Sequence, residues 1–581
     1  MKNRSAIPVA VVLVVALLGS GWVRSKCIQQ RRELDASRGQ AASSQGGIGK
    51  LNSFALGLLL GGLKGPLVMA LWTSSENQKS ERNLDDFDTK VDLIRLLQPE
   101  FDTVHLFQIW NKAYNVSVQM ANVPNKYTTI LDALDYAFDV DRERPENINI
   151  VSAIGGLYFD KLGNSAEKGY FSPRLYDETL PPEDRYRVTF PAAKRQAVLR
   201  EARLAGASVA SLLPRESADK PGMLTMQIRK SDGDALKARL NDPTVEMTLR
   251  PSGKITRDQS VGRRIEHETL LDADHRILPK FYKPRMGGEP TYTGADGSPL
   301  PYLKQFEPFP YGVSPLAIGY NFFERSRWLQ KHRNARHAQA SDRVVSSRPA
   351  LALKKWSEED WYAGRRGEIT LLGREVPKED EGLEQPAADL QLTTELASSP
   401  LLQQTIYRYE NATRVANAAV AEYASHLADF PSDVVIYASH VESSLAQAKL
   451  TNADAAYLKA VVAKGPERAE LLATARKDYQ AAMNLFTRHI LRFYLADEYA
   501  NEVLPKDFRL FRQLTRADVD NHEALRDSDL PMALVRLRTK HMMLKDQMSN
   551  REEFVEYDAM IRRAETRMQI LRAASSVAIT P

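Results

Sequence analysis

The chain of 581 residues contains a single cysteine, Cys27. One cysteine cannot form a disulfide within the chain, and it cannot supply the several thiolates that structural zinc sites and iron–sulfur clusters use. The signature motifs of phosphate-binding loops, dinucleotide-binding folds, serine hydrolases, zinc proteases and covalent haem attachment are also missing from the sequence. We therefore predict no cofactor, and no catalytic residue can be assigned.

Excess basic charge is confined to the N-terminus. Residues 1–60 hold eight basic and two acidic side chains, whereas the remaining residues carry 71 basic and 72 acidic ones. The pI near 8.9 therefore reflects the N-terminal segment, and the rest of the chain is nearly neutral. This balance argues against electrostatic binding of the whole protein to a nucleic acid, because such binding needs a broad excess of lysine and arginine.

The N-terminus has the pattern of a membrane anchor. Residues 6–23 contain no charged side chain, and as a helix they would span roughly 27 Å, close to the hydrocarbon thickness of a bilayer. Trp22 and Arg24 lie where interfacial anchors are expected. We predict a transmembrane signal anchor over residues 1–23, and a cleaved signal peptide is the main alternative.

This anchor predicts a single-pass protein of the cell membrane with its body on the extracytoplasmic side. The basic residues that follow the anchor leave the opposite orientation open, since such residues prefer the cytoplasm. Residues 24–53 are basic and polar and predict a flexible linker. Residues 54–72 are apolar again, but Lys64 and Pro66 near their middle favour a buried helix over a second span.

Residues 54–165 show apolar side chains at helical spacing. The runs around 87–97, 104–114, 130–138 and 150–158 each predict a helix. Pro99 separates the first two runs, and Pro145 separates the last two. The acidic Asp102 precedes the run at 104–114 and offers that helix a cap.

These helix pairs resemble the tetratricopeptide repeat. With Pro145 taken as the last residue of one repeat, the small residue of its second helix falls on Ala133. The Leu-Gly and Tyr of the next first helix then fall on Ile154, Gly155 and Tyr158. The resemblance covers residues 54–165 and implies α-hairpin repeats that present a surface to protein partners.

Two short sequence segments show a second resemblance to known proteins. Residues 97–101 (Leu-Gln-Pro-Glu-Phe) and 110–117 (Trp-Asn-Lys-Ala-Tyr-Asn-Val-Ser) are similar to segments of membrane-anchored bacterial envelope proteins of this helical type. The resemblance implies a location and an architecture, and it implies no reaction.

The middle of the chain, residues 166–372, predicts an irregular region. A helix is expected within 191–213 and short strands within 222–256, where apolar and polar residues alternate. Residues 281–328 are rich in Pro, Gly and aromatic side chains, and we expect an ordered loop lying over helices. A basic helix is predicted at 325–348. Basic residues next to aromatic ones are typical of RNA or glycan sites, but a solvated helix face is the simpler interpretation.

The last third of the chain predicts a helical domain over residues 400–581, after an acidic linker at 373–399. Thr451 to Asp454 has the pattern of a helix cap, and Gly465-Pro466 predicts the end of one helix and the start of the next. A final helix is expected to open near residues 549–553 and to pack its apolar face within the chain.

The densest polar cluster of the sequence lies at residues 266–275. Carboxylates and imidazoles are suitable ligands for zinc or iron. The spacing matches no known motif, however, and a charged surface segment is the simpler interpretation. The cluster consists of Glu266, His267, Glu268, Asp272, Asp274 and His275.

We predict a mainly α, membrane-anchored scaffold or protein-binding protein of the bacterial cell envelope. The expected partners are proteins and, through residues 6–23, the membrane; nucleic acid and a small-molecule cofactor are not expected. One alternative is an envelope enzyme with a site near 266–275, and another is an RNA-associated protein that uses the basic helix 325–348. The candidate binding surface consists of Trp110, Tyr114, Tyr158, Tyr311, Arg325 and Arg327.

Overall fold

The computed structural model describes residues 70, 71, 73, 74, 102–143, 147–178, 184–207, 214–217, 219–250, 314–332, 341–374, 376, 394–503, 529–543 and 551–577. Helices make up 82% of these residues, which confirms the prediction of a mainly α protein. The described residues divide into two compact units, the first ending at Ala153 and the second starting at Ile154.

Residues 102–143 of the first unit form an α-hairpin. Helix α1 spans Asp102–Trp110 and continues as a π-helical segment, Asn111–Val116, and a short α-helical end, Ser117–Gln119. Helix α2 spans Val123–Glu143 and packs against α1 through buried residues such as Ile109 and Leu134. His105 Nδ1 lies 2.8 Å from the Tyr136 hydroxyl and links the two helices.

Helix α3 spans Ile148–Gly156 and also continues as a π-helical segment, Leu157–Gly163, against which α4, Lys168–Glu178, packs. The helices predicted at 104–114, 130–138 and 150–158 are therefore present. The first helices of the two pairs begin 46 residues apart, at Asp102 and Ile148. This spacing is longer than the 34 residues of a tetratricopeptide repeat, because the first helix with its π-helical segment covers residues 102–119 and α2 has 21 residues.

A small α+β domain follows. Its elements are β1 (Arg185–Pro191), α5 (Arg195–Leu204), β2 (Arg215–Glu216), β3 (Met223–Arg229), α6 (Lys230–Arg239) and β4 (Glu246–Arg250). The sheet is antiparallel with the order β2-β3-β1-β4, which is the βαββαβ arrangement of a ferredoxin-like, split βαβ fold.

Both α5 and the strands β3 and β4 lie where the sequence predicted helix and strands. Within the α+β region predicted at 166–372 to be irregular, the described residues of 184–250 form an ordered domain with its own core. Strand β1 was not predicted, although Arg185–Pro191 alternates polar and apolar residues as a half-buried strand should. Its apolar residues Tyr186, Val188 and Phe190 form a core with Val198 of α5 and Leu236 of α6.

Seven longer helices complete the second unit. They are α7 (Pro315–His332), α8 (Ser341–Leu371), α9 (Pro400–Asp429), α10 (Val434–Val462), α11 (Gly465–Val503), α12 (Leu530–Met543) and α13 (Arg551–Val577). Helix α9 packs along α8 and α10, while α11 packs along α10 and α13.

Three predictions about this helical region need correction. The aromatic residues Tyr320, Phe322 and Phe323 lie in α7 and are buried, so this part of 281–328 is a helix and not a loop. The acidic segment 373–399 does not separate two cores, because residues before and after it, such as Trp361 and Leu402, share one core. Thr451 does not cap a helix, as it lies within α10 and donates to the carbonyl of Gln447.

Other predictions for the C-terminal region are confirmed. Helix α10 ends at Val462 and α11 begins at Gly465, whose φ of +64° suits glycine at a helix junction. Helix α13 begins at Arg551, and its apolar residues Tyr557, Ile561 and Ala564 are buried in the shared core.

No helix of the described ranges is both long enough and apolar enough to cross a bilayer. The predicted anchor at 6–23 and the linker at 24–53 lie outside the residues that the structure describes, as do the run at 87–97 and most of the apolar stretch 54–72.

Helices α8 and α9 pack so closely at Gly364 that a larger side chain there should destabilise the fold. A Cβ on Gly364 would lie 2.7 Å from Cε1 of Tyr409, and Tyr409 is fully buried. We expect Gly364→Ala to lower the free energy of unfolding by about 1–3 kcal/mol, because the overpacked ring has no room to move. Chemical denaturation of the variant measures this loss.

Gly169→Ala is the matched control. Gly169 lies in α4 and a Cβ there would meet no atom within 4 Å. This variant should be neutral or more stable by up to about 1 kcal/mol, since alanine favours a helix over glycine. Equal changes in the free energy of unfolding for the two variants would contradict the tight packing at Gly364.

Candidate functional site

A stripe of apolar side chains lies along one side of the helix that starts with α1. It consists of Phe107, Trp110, Tyr114 and Val118, which are three or four residues apart on the helix that starts with α1. The ring of Trp110 stacks on that of Tyr114 at 6.0 Å between centroids and 17° between planes, and Phe107 lies 6.4 Å from Trp110. We call these four residues the aromatic stripe.

The aromatic stripe is partly open to solvent. Trp110 is 42% exposed and Val118 is 62% exposed, whereas Phe107 and Tyr114 are half-buried. The stripe runs along the π-helical segment Asn111–Val116, and π-helical turns are frequent at functional sites. A hydrogen bond of 2.8 Å from Asn115 Nδ2 to Asn111 Oδ1 lies within this segment.

Among the predicted binding residues that the structure describes, Trp110 and Tyr114 lie together on a partly exposed surface. Trp110 and Tyr114 are neighbours in the aromatic stripe. Tyr158 is fully buried and stacks on Phe322, so the prediction that it lies on a binding surface is corrected. Tyr311 lies outside the described residues.

The two arginines of the predicted surface also lie inside the second unit. Arg325 is 1% exposed. The Arg327 side chain is 12% exposed and forms ion pairs of 2.6 Å with both Glu324 and Glu422. Neither residue lies on the solvated face expected for 325–348, because α7 packs between α8 and the segment Leu157–Gly163.

A buried ionic cluster, which the sequence analysis missed, joins the three helices α8, α10 and α13. We call it the ionic core, and it consists of Arg365, Glu368, Asp454, Arg563 and Arg567. Arg563 Nη2 lies 2.9 Å from Glu368 Oε2 and 2.9 Å from Asp454 Oδ1. Arg365 Nη1 lies 3.0 Å from Glu368 Oε2, and Arg567 pairs with the other oxygen of the same carboxylate.

Neutral side chains complete the hydrogen bonding of the ionic core. Tyr409 donates to Glu368 at 2.9 Å, and Tyr479 and Trp361 donate to Asp454 at 2.7 Å and 3.1 Å. The guanidinium of Arg567 also lies 3.8 Å from the centre of the Tyr457 ring. Helices α8, α9, α10, α11 and α13 all contribute to this cluster or its surroundings.

Electrostatics keeps the Glu368 carboxylate of the ionic core charged. Burial opposes ionisation of Glu368, but the charges of Arg563, Arg567 and Arg365 outweigh it and hold the pKa of this carboxyl well below its usual value. Burial likewise opposes the charge on Arg563, and Asp454 and Glu368 raise its pKa in return. Such a network holds helices in register.

A second polar cluster surrounds Glu359 on α8. Its carboxylate accepts hydrogen bonds from Ser314 and, at 3.2 Å, from the Tyr176 hydroxyl. Arg408 of α9 donates to the adjacent Asp360 at 2.6 Å, and its guanidinium lies 5.0 Å from the centre of the Tyr176 ring. Glu359 therefore links α4 and the start of α7 to α8.

The pKa of Glu359 is raised to about 7. Burial is the main cause, and the charge of Asp360 adds to it, against the hydrogen bond from Ser314 and the charge of Arg408. Carboxyl groups with a pKa near neutrality suit proton transfer. A structural link between helices explains the same contacts, and no substrate-binding geometry accompanies them.

Metal chemistry finds no support in the described part of the chain. There, no three His, Cys, Asp or Glu side chains are arranged to hold a metal ion. The predicted polar cluster at 266–275 lies outside the described residues. Sequence reasoning missed the ionic core because its charged residues are scattered over three helices, although Arg563 and Arg567 do fall four residues apart among the apolar positions of α13.

Removing one charge from the ionic core should strongly destabilise the second unit. Glu368→Gln leaves Arg563 and Arg567 buried without their shared carboxylate. We expect a loss of about 3–5 kcal/mol in the free energy of unfolding, because uncompensated buried charge is unfavourable. Denaturant titration of the purified protein measures the loss.

Glu410→Gln serves as the control for this prediction. Glu410 pairs with Lys459, and both side chains are more than 40% exposed. Loss of this solvated pair should change stability by less than about 1 kcal/mol. If Glu368→Gln were equally mild, the ionic core would not stabilise the fold as inferred.

Glu359 predicts a pH dependence of stability. Its pKa rises from 4.5 to about 7 on folding. The stability that this group contributes to the folded protein is therefore fully present below pH 4.5 and is lost as the pH rises through 7. Glu359→Gln keeps the hydrogen-bonding side chain and cannot ionise. The variant should gain stability relative to the parent across this range, reaching about 3 kcal/mol at most.

Denaturation curves of both proteins between pH 4.5 and about 8 provide the measurement. Other titrating groups are common to the two proteins, so the difference between the curves isolates Glu359. Parallel profiles with a constant difference would show that Glu359 ionises normally in the folded protein.

Comparisons with known proteins complete the description of these sites. No family model matches the chain, and no curated protein and no solved structure matches it either.

Proposed function

We propose that this protein is a partner-binding scaffold of the bacterial cell envelope, tethered to the membrane through residues 6–23. The observation that supports it best is the aromatic stripe, in which Trp110 stacks on Tyr114 and remains 42% exposed. Large aromatic side chains on a surface are the residues that most often contribute binding energy at protein interfaces. The predicted anchor supports the location.

The second unit suits the role of a rigid support. Its ionic core ties α8, α10 and α13 together with several charged hydrogen bonds inside a shared apolar core. Rigid helical surfaces bind with little loss of conformational entropy, which favours affinity. The alternative of an enzyme near 266–275 stays a prediction, since those residues lie outside the described ranges.

Affinity capture tests the proposal with the full-length protein. The tagged chain is isolated from detergent-solubilised membranes, its partners are identified, and the Kd of the main partner is measured with purified components. We expect Trp110→Ala/Tyr114→Ala to weaken this binding by roughly 30-fold or more, which corresponds to about 2 kcal/mol for a stacked aromatic pair at an interface.

Met532→Ala/Val535→Ala is the matched control. These side chains on α12 are 60% and 54% exposed, so the control removes similarly solvated apolar groups elsewhere. Partner binding that survives the loss of both stripe aromatics would rule out this surface. Recovery of the full-length chain only in the soluble fraction after lysis would rule out the tether.

A further inference from the structure

The sheet of the α+β domain ends in a solvent-exposed strand. Within the described ranges, β4 is the last strand in the order β2-β3-β1-β4 and pairs only with β1. Its residues are exposed apart from the half-buried Met247, and the apolar Leu249 is 41% exposed. An edge strand of this kind offers backbone N–H and C=O groups to a further strand.

The hydrogen bonds of β1 show which backbone groups of β4 point outward. Lys230 N, just after β3, donates to Asp184 O, just before β1, at 2.7 Å. Backbone groups alternate in direction along a strand, so the next residue of β1 and every second one after it point to β4. Those residues lie opposite Thr248 and its second neighbours in the register. Met247 and Leu249 therefore direct their N–H and C=O groups to the open edge.

The five residues of β4, Glu-Met-Thr-Leu-Arg, are complementary to their own sequence read backwards. If a second β4 pairs antiparallel about a two-fold axis at Thr248, Glu246 lies opposite Arg250 of the other copy. Met247 then lies opposite Leu249, and the two Thr248 side chains meet. Opposite charges, apolar pairs and Thr–Thr pairs across neighbouring strands all stabilise a sheet. About four backbone hydrogen bonds would join the copies through Met247 and Leu249.

This pairing keeps the two faces of the sheet continuous. A two-fold axis perpendicular to the sheet leaves α5 and α6 of both copies on the same side. Met247 and Leu249 lie opposite Val188 and Tyr186 of β1, which belong to the core under those helices. The exposed Leu249 is thus covered by Met247 of the second copy. A shift of one residue would set these apolar side chains against polar ones of the other face, which disfavours it.

The charges of β4 select an antiparallel copy of the same strand. Charged residues on an edge strand usually prevent pairing with another chain. Glu246 and Arg250 have opposite signs at the two ends, so an antiparallel copy is attracted, whereas a parallel copy in register is repelled. Glu246 already pairs with Lys220 at 2.7 Å, but these side chains are 55% and 49% exposed. Such a solvated pair contributes little to stability and can exchange partners.

We propose that β4 pairs with β4 of a second copy of this chain, which joins the two sheets into one. The surface is separate from the aromatic stripe and does not depend on the partner-binding role proposed above. Each copy contributes one short strand, so the interface is small. Small interfaces are typical of transient complexes, and we therefore expect a dimer that dissociates on dilution.

Cross-linking tests the geometry in the full-length protein in detergent. Cys27→Ser removes the one native thiol, and Thr248→Cys is introduced in this background. The two positions form a non-hydrogen-bonded pair with Cα atoms about 4.5 Å apart, which is within the range of a disulfide. We expect mild oxidation to convert most of the protein into a covalent dimer.

Gln227→Cys in the same background is the matched control. Gln227 is exposed on the same face of the sheet, but it lies on β3. Its two copies would be separated by about five strand spacings, roughly 24 Å, so this variant should form little covalent dimer. Equal cross-linking of the two variants would indicate random collision and would overturn the proposal.

Charge reversal tests which residues meet. Glu246→Lys and Arg250→Glu each turn two attractive pairs of the dimer into two repulsive ones. We expect each to weaken self-association about tenfold or more in sedimentation equilibrium. A mixture of the two variants restores both pairs of opposite charge in a heterodimer, so the mixture should associate about as tightly as the parent. Circular dichroism and thermal unfolding establish that both variants fold.

Three further results would overturn the proposal. The first is a parent protein that stays monomeric at its highest soluble concentration, as it would if another segment of the chain covered β4. The second is self-association that neither charge reversal weakens, which would place the contact elsewhere, for example in residues 6–23. The third is a mixture of the two folded variants that associates no better than either variant alone.

Discussion

The carboxylate of Glu368 is the point on which the second unit depends. It forms ion pairs with arginines on two helices, Arg365 on α8 and Arg563 and Arg567 on α13. All four side chains are almost fully buried. Charges removed from water are tolerated only when each finds its partners in the right geometry. The positions of α8, α10 and α13 relative to one another are therefore tightly constrained. A shift of one helix by one turn would leave a buried charge without its partner.

This constraint extends to the sheet through helix α5. Leu204 at the end of α5 lies in the core that surrounds the ionic core, whereas Val198 and Ala202 of the same helix belong to the core of the sheet. One helix thus serves two cores, and its position fixes which side of the sheet is covered. The covered side holds the apolar residues, so the arginines of β1, β3 and β4 are left on the side that faces away from α5.

Local signals predicted many helices well, and they failed where charge is buried. Gly465 and Pro466 marked a helix junction that is present, since backbone conformations of these two residues are restricted locally. The pattern from Thr451 to Asp454 looked like a helix cap, yet both residues lie inside α10. Asp454 is held there by Arg563, 109 residues away, and no local pattern reports a partner at that distance.

By itself the sequence determined the helical class, the positions of α1, α2, α3, α5, α11 and α13, strands β3 and β4, and the placement of Trp110 and Tyr114 on one side of a helix. These features follow from side-chain periodicity, which is local. Only the tertiary structure decided that Tyr158 and Arg325 are buried, that Glu359 retains its proton up to about pH 7, and that arginines from three strands form one row. Burial, pKa and cross-strand register depend on which distant segments meet, and periodicity does not encode that.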